Sequence, residues 1–178
     1  LPKLFAASGA IFVYATTEPS EALLLGGYTA TLHEGAVTQF GRTVDVYRQP
    51  ADLVTAKIFA DPPLNTIALV RSGNSFVLNG EPVMVVPPHL ASVAEGQVML
   101  AFQPHHLFLH PANGHTTPLK ARTLVSEIAG SESFIHLDFA GHRWVMLAHG
   151  IHDIEQDRPI EVHLDSRHLM AFDQSTGK

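Results

Sequence analysis

Short β-favouring segments follow one another at close spacing from Pro63 to the end of the chain, and this texture limits the fold more than any other feature. The dipeptide Asn79-Gly80 predicts a tight hairpin turn. Many short strands separated by turns indicate a small, mostly antiparallel barrel or sandwich. The predicted strands are Thr66 to Val70, Phe76 to Leu78, Val83 to Val86, Val98 to Phe102, Leu107 to His110, Leu119 to Ile128, Ser133 to Phe139, Trp144 to Ala148, Ile160 to Leu164 and His168 to Phe172.

One predicted strand has a clear polarity. Its apolar residues occupy every second position, so one face is expected to be buried and the other to be in water. The apolar set is Ile160, Val162 and Leu164, and the polar set is Glu161, His163 and Asp165.

The first sixty residues mix helix and strand signals, which predicts an α/β region. Residues 1–5 have the spacing of one helix face, and Gly9 is placed to end that helix. The continuous apolar run Ile11 to Ala15 predicts a strand buried on both faces of a parallel sheet. Thr17 is expected to cap a short helix that Gly26-Gly27 ends.

A hairpin and two short helices complete this region, and prolines then interrupt the chain at Asp61-Pro62-Pro63. We therefore predict two domains, residues 1–61 and residues 62–178. The hairpin is predicted over Tyr28 to Leu32 and Ala36 to Phe40 with its turn at Glu34-Gly35, and the helices near Val44 to Tyr47 and Asp52 to Phe59.

Composition excludes several classes of protein. Hydrophobic residues make up 46% of the 178 residues, which is enough for a real core, and the absence of cysteine excludes disulfides and thiolate zinc sites. The net charge is −6, and residues 61–178 hold seven Lys/Arg against twelve Asp/Glu, so a nucleic-acid partner is not expected. The apolar runs are too short to cross a bilayer. No signal peptide is visible, and we expect the chain to begin inside a longer protein.

Six segments, in order, resemble ATP-binding subunits of ABC importers of the carbohydrate-uptake type. VYATTEPSEALLLGG resembles the switch-histidine segment of ABC ATPases, and LHEGAVTQFGRTVDVYRQPADL resembles the segment that follows it. IFADPPLN is similar to the junction with the regulatory (TOBE) domain. FQPHHLFL, SEIAGSESFIHLDFAG and HLMAFDQSTG resemble three motifs inside that domain.

The resemblance implies the C-terminal remnant of a nucleotide-binding domain followed by an OB-like TOBE domain. The parent would import sugars or glycerol phosphates, with glycerol-3-phosphate as a guess from the form of the switch segment. It would lie in the cytoplasm on the inner face of the membrane. Its partners would be a second ATPase subunit, in a homo- or heterodimer, transmembrane permease subunits, and a regulatory protein or small effector.

Three ATPase motifs are missing from the sequence. There is no GxxxxGK[ST] loop to hold the phosphates of ATP, no LSGGQ signature, and no apolar strand ending in Asp-Glu to hold magnesium. We therefore expect the chain to be inactive by itself, with no catalytic residue and no cofactor. ATP and Mg²⁺ would belong to the complete subunit.

Thr17 occupies the position of the family's switch histidine, which contacts the γ-phosphate. Its simpler role is that of a helix cap, and both roles are compatible. Thr16 and Glu18 would flank the phosphate in the complete subunit, and we assign neither a catalytic role.

Twelve histidines raise the question of a metal site. His105-His106 with His110, or His149 with His152, could supply imidazoles. Adjacent residues on a strand point to opposite faces, and no carboxylate motif completes a set, so packing or surface roles are expected and no metal.

Two further features have a structural and a functional interpretation. Gly130-Ser131-Glu132 is expected to form a turn between strands, and its functional alternative is contact with a small ligand or a partner domain. Trp144 is expected in the core, although a tryptophan can also serve as a stacking platform.

Two other classes of function stay open. The chain could be a free-standing OB-like module that binds oxyanions, but the α/β region before Pro63 has no reason to precede such a module. An OB-fold nucleic-acid binder is disfavoured by the acidic balance and by an aromatic content of only 8%.

Overall fold

The structure, a computed structural model, describes residues 9–112 and 114–178. The chain divides into two compact units, of which the first ends at Ala60 and the second spans Asp61–Lys178. The mainly β fold class is confirmed: antiparallel sheets dominate and a region of short helices precedes them. No helix within the described ranges is long and apolar enough to span a membrane.

Within residues 9–60, the described part of the first unit, the chain forms a two-stranded antiparallel hairpin and three short helices. The predicted turn at Glu34-Gly35 is confirmed, and both residues have positive φ, 49° and 78°, as tight hairpin turns require. The elements are α1 (Pro19–Leu25), β1 (Tyr28–His33), β2 (Ala36–Arg42), α2 (Thr43–Arg48) and α3 (Leu53–Ile58).

Threonine hydroxyls join the hairpin to α3. The Oγ1 atoms of Thr31 and Thr38 lie 2.7 Å apart, and Thr38 Oγ1 lies 2.9 Å from Thr55 Oγ1. The Asp52 carboxylate caps α3 by accepting the Thr55 N–H at 2.7 Å. Thr31 and Thr55 are buried, so these mutual bonds satisfy hydroxyls that have lost contact with water.

Two predictions for the N-terminal region are wrong. Ile11 to Ala15 is not a strand, because no described strand pairs with it, and Ile11 and Val13 are 96% and 95% exposed. Thr17 is not the cap of α1. The N-cap residue is Glu18, whose side chain makes no capping bond. The helix predicted from residues 1–5 lies outside the described residues.

The second unit consists of two five-stranded antiparallel sheets. Their strand orders are β10-β9-β8-β11-β7 and β12-β6-β3-β4-β5. The strands are β3 (Asn65–Ser72), β4 (Ser75–Leu78), β5 (Glu81–Val85), β6 (Gly96–Phe102), β7 (Leu107–Phe108), β8 (Thr116–Ala129), β9 (Glu132–Phe139), β10 (His142–His149), β11 (Pro159–Asp165) and β12 (Met170–Asp173), with single 3-10 turns at Pro88–Leu90, Pro104–His106 and Ser166–His168.

The β4–β5 hairpin has the predicted two-residue turn. Asn79 and Gly80 have φ of 53° and 88°, and their neighbours Leu78 and Glu81 pair across the hairpin. Positive φ at both turn positions is the geometry that Asn-Gly favours, because its twist matches that of the flanking strands.

Trp144 lies in the core between the rings of Phe139, stacked at 4.5 Å, and Phe102, edge-on at 4.9 Å. Its indole Nε1 donates to the Thr66 carbonyl at 3.1 Å, so the one polar atom of a side chain that is 1% exposed is satisfied. The expected core role is confirmed.

The predicted polarity of β11 holds at Val162 and Leu164, which are buried, and at Glu161, which is exposed. It fails at His163 and Asp165, which are only 7% and 4% exposed. Neighbouring structure therefore covers the last part of the face that simple alternation assigns to water.

Asn65 supplies hydrogen bonds to the edge strand β10. Its amide nitrogen donates to the Val145 carbonyl at 2.8 Å, and its oxygen accepts the Val145 N–H at 2.7 Å. Asn65 is 2% exposed. This side chain takes the place of a missing partner strand at one position of β10.

We expect Asn65→Ala to lower the free energy of unfolding by about 2–4 kcal/mol, because it leaves a donor and an acceptor of Val145 without a partner. Urea unfolding followed by tryptophan fluorescence measures this. Asn74→Ala is the matched control, since Asn74 is exposed and makes no side-chain hydrogen bond within residues 9–112 and 114–178. Equal effects of the two substitutions would contradict the role of Asn65.

Candidate functional site

Thr17 lies in an exposed bend directly before α1. The residues beside it form a hydrogen-bonded frame, which we call the Glu21 frame: Tyr14, Thr16 and Glu21. The Tyr14 hydroxyl donates to Glu21 Oε2 at 3.1 Å, and the Thr16 hydroxyl donates to the same oxygen. Thr16 Oγ1 also accepts the N–H of Glu18 at 2.9 Å.

The Glu21 frame holds the backbone on both sides of Thr17. Thr17 itself makes no side-chain hydrogen bond to any described residue, so its hydroxyl is not used in holding the bend. The arrangement can present the side chain at position 17 from an ordered loop. Glu18, by contrast, contributes its backbone N–H and no side-chain bond within the same part of the chain.

The Glu21 carboxylate raises the pKa of the Tyr14 phenol, first by accepting its hydrogen bond and then by electrostatic repulsion of the phenolate. The phenol is therefore a measurable reporter of whether the frame exists in solution.

We expect Glu21→Ala to bring the pKa of Tyr14 back down towards its ordinary value, because both the acceptor and the negative charge are removed. Absorbance of phenolate as a function of pH measures this, with Tyr14→Phe identifying the contribution of Tyr14 among the three tyrosines. Glu18→Ala is the matched control and should leave the Tyr14 titration unchanged. An identical Tyr14 titration in the wild type and Glu21→Ala would contradict the frame.

Four histidines line one open cleft of about 390 Å³ in the second unit. Its walls come from the two edge strands of one sheet, β7 and β10, with the residues that follow β7. The lining residues are His105, Leu107, Phe108, Leu109, His110, Leu147, Ala148, His149 and His152. The structure thus brings together both groups of imidazoles that the sequence separates.

The cleft histidines are not arranged around a metal position. No three His, Asp or Glu side chains among residues 9–112 and 114–178 are grouped closely enough to hold an ion. The His152 Nε2 atom is 2.8 Å from the His149 carbonyl, and because a carbonyl only accepts, this nitrogen carries the hydrogen. His149 Nδ1 lies 3.7 Å from a Glu132 carboxylate oxygen.

His105 and His106 lie in the 3-10 turn Pro104–His106 and not on a strand, so the predicted alternation of their side chains does not apply. The His106 ring lies 4.2 Å from the ring of His105 and stacks at 4.3 Å on the ring of His168. The contact between His106 and His168 is not predictable from the sequence, because the two residues are far apart in the chain and no local pattern relates them.

Burial, and after it the neighbouring imidazoles of His105 and His168, lowers the pKa of His106 to about 3. Burial also lowers the pKa of His105. The buried Nδ1 atom of His106 has no hydrogen-bond partner among the described residues. His105 and His106 are therefore neutral at pH 7 and supply no positive charge with which to bind anions there.

Gly130-Ser131-Glu132 connects β8 to β9, as expected, with Gly130 at φ 75°. The Ser131 carbonyl accepts the N–H of Gly150 at 2.8 Å, which joins this turn to the end of β10. The turn role is confirmed, and the contact of Glu132 with His149 places it beside the cleft.

No protein-family model matches the chain. An uncharacterized ABC transporter ATP-binding protein, YcjV, of Escherichia coli O6:H1 is 24% identical over 181 residues, which cover 99% of this chain and 50% of that protein. The sn-glycerol-3-phosphate import ATP-binding protein UgpC of Escherichia coli O6:K15:H31 is 28% identical over 174 residues, which cover 93% of this chain and 47% of that protein.

Among solved structures, the cytoplasmic molybdate-binding protein ModG in its molybdate-bound form matches with a TM-score of 0.44 and 12% identity. The match covers 61% of this chain and 93% of that one. The homologues of the chain in sequence are ABC transporter ATP-binding proteins, and the chain spans about half of their length.

Proposed function

Because its homologues are ABC transporter ATP-binding proteins, we propose that this chain is the C-terminal part of the ATP-binding subunit of an ABC importer. The supporting observation is the extent of the similarity, which covers 93–99% of the chain and therefore runs across both structural units. The first unit is then the end of a nucleotide-binding domain, and the second is an OB-like TOBE domain.

The imported substrate belongs to the sugars or glycerol phosphates. The name of the relative UgpC, a glycerol-3-phosphate import protein, supports this class. The ATPase does not contact the substrate's chemistry directly, so the class comes from the importer and not from a pocket in this chain.

The second unit contributes dimerisation and regulation. In the assembled importer the subunit lies on the cytoplasmic face of the membrane against permease subunits and pairs with a second ATPase subunit. A regulatory protein or a small effector binds the TOBE domain. The ATP and Mg²⁺ of the parent are held by motifs that this sequence lacks.

We expect the purified 178-residue chain to form a dimer and to bind neither Mg-ATP nor molybdate tightly. The phosphate loop and its lysine are missing, and dimerisation is the property that separates a regulatory tail from a free-standing oxyanion module. Solution mass by light scattering and calorimetric titration with Mg-ATP, molybdate and phosphate measure these properties. A monomer that binds molybdate with micromolar affinity, or a chain that binds Mg-ATP with that affinity, would contradict the proposal.

In the complete subunit, Thr17 stands where other ATPases of the family have their switch histidine. A threonine hydroxyl is shorter than an imidazole and carries no positive charge near the γ-phosphate. Loss of one preorganised donor costs about 100- to 1,000-fold in rate. A subunit so weakened still serves a dimer whose partner has an intact site, so we propose that the parent works in a heterodimer with a histidine-bearing ATPase.

In the full-length subunit we expect Thr17→His to raise ATP turnover about 100- to 1,000-fold, because it restores the missing donor. Thr17→Ser is the matched control and should keep the low rate. Steady-state phosphate release from the homodimers and from the mixed pair with the partner ATPase measures the effect. Fast turnover by the unmodified homodimer, unchanged by Thr17→His, would remove the basis for both the lost switch and the heterodimer.

A further inference from the structure

Three imidazole rings connect two turns that are distant in sequence. We call them the imidazole stack: His105, His106 and His168. His106 lies in the middle, 4.2 Å from His105 and 4.3 Å from His168, and its ring is within 10° of parallel to that of His168. His105 and His106 belong to the turn Pro104–His106, and His168 belongs to Ser166–His168.

The imidazole stack lies beside the strand of this sheet that has the fewest backbone pairs. The edge strand β7 directly follows the turn Pro104–His106 and pairs with β11 through only two residue pairs, Leu107 with Leu164 and Phe108 with His163. The turn Ser166–His168 directly follows β11. Stacked rings on the two turns therefore add to the attachment of a strand that has little backbone pairing of its own.

The charged groups around the stack are few. Asp165, at the end of β11, is fully engaged by Arg167, with Nε at 2.9 Å from Oδ1 and Nη2 at 2.6 Å from Oδ2. His168 Nε2 is 4.0 Å from the same carboxylate.

Titratable groups of the packed strands lie further out. On β11, His163 pairs with Glu161 at 3.5 Å. On β10, which also packs against the turn Pro104–His106, His149 shares the cleft with His105, while His142 and Arg143 are at the far end of the strand.

We propose that the imidazole stack is a pH-sensitive latch, which holds the turn Pro104–His106 and β7 on the sheet while its rings are neutral and releases them when the stack is protonated. A proton on His106 would put a cation in a mostly buried position between two other imidazoles. The Asp165 carboxylate is already neutralised by Arg167 and offsets this charge only in part.

The direction of the pH effect follows from His106. Its pKa is lowered to about 3 in the closed form, by burial first and then by His105 and His168. A released histidine takes up its proton near the ordinary value of about 6.5. The latch is therefore fully closed above about pH 6.5 and loses stability as the pH falls from there towards 3. One such proton raises the opening constant about tenfold between pH 7.5 and pH 5.5.

Release would have a structural consequence at the cleft. β7 forms one wall of the cleft, and its departure would uncover the backbone edge of β11 at His163 and Leu164. A free edge is a site at which another strand can pair. This inference does not depend on the proposed transport role, because it concerns the second unit alone.

Hydrogen exchange of the 178-residue chain at pH 7.5 and pH 5.5, corrected for the intrinsic pH dependence of exchange, tests the latch. We expect the opening constant for the amides of His106, Leu107 and Phe108 to rise about tenfold at pH 5.5. The amides of β8 and β9 should not change. A rise shared equally by β8 and β9 would overturn the proposal, because it would report global unfolding, and so would the absence of any rise at 106–108.

Substitutions of the histidines test the latch independently of the wild-type measurement. His106→Phe keeps an aromatic ring and removes the titration of His106, so opening at Leu107 and Phe108 should lose most of its pH dependence. His106→Leu, which is smaller and also cannot titrate, decides the question if His106→Phe does not fold. His142→Gln is the matched control and should behave as wild type. Wild-type pH dependence in His106→Phe, or in His106→Leu where only that variant folds, would overturn the latch.

Discussion

The second unit depends on a set of hydrogen bonds by which two neighbouring residues of β3 contact two neighbouring residues of β10. The Asn65 amide bonds both backbone groups of Val145, and the Trp144 indole donates to the Thr66 carbonyl. These bonds connect the two sheets beside the apolar contacts of their shared core, which carry no directional preference. They fix where the edge strand β10 lies and therefore the wall that it gives to the histidine cleft.

Much of the second unit could be predicted from the sequence, because its strands are defined by local signals. The Asn79-Gly80 turn depends only on its own residues, and it was predicted correctly. Properties that depend on distant neighbours were not predictable in this way. Ile11 to Ala15 has the composition of a central strand but no described strand beside it, and the last part of the polar face of β11 is covered by structure that alternation does not report.

The candidate site shows the same difference between features set by local sequence and features set by distant neighbours. Thr17 and the four cleft histidines could be identified from the sequence. The shared cleft of His105 and His149 and the stacking of His106 on His168 could not, because both depend on how β7, β10 and β11 meet. The Glu21 frame was not predictable either, although its three members lie within eight residues. A tyrosine, a threonine and a glutamate at that spacing have no distinctive pattern, and their meeting depends on the bend before α1.

The Glu21 frame limits what the segment around Thr17 can do chemically. Oε2 of Glu21 accepts both the Tyr14 and the Thr16 hydroxyl, so this carboxylate is occupied in holding the bend and is a poor candidate for a base. Ordering a loop costs conformational entropy, and here hydrogen bonds that leave the Thr17 side chain aside offset that cost. The segment is thus built to place whatever side chain stands at position 17. The side chain presented at that point is decided by a single residue, so an exchange between threonine and histidine there changes the presented group and leaves the hydrogen bonds of the loop in place.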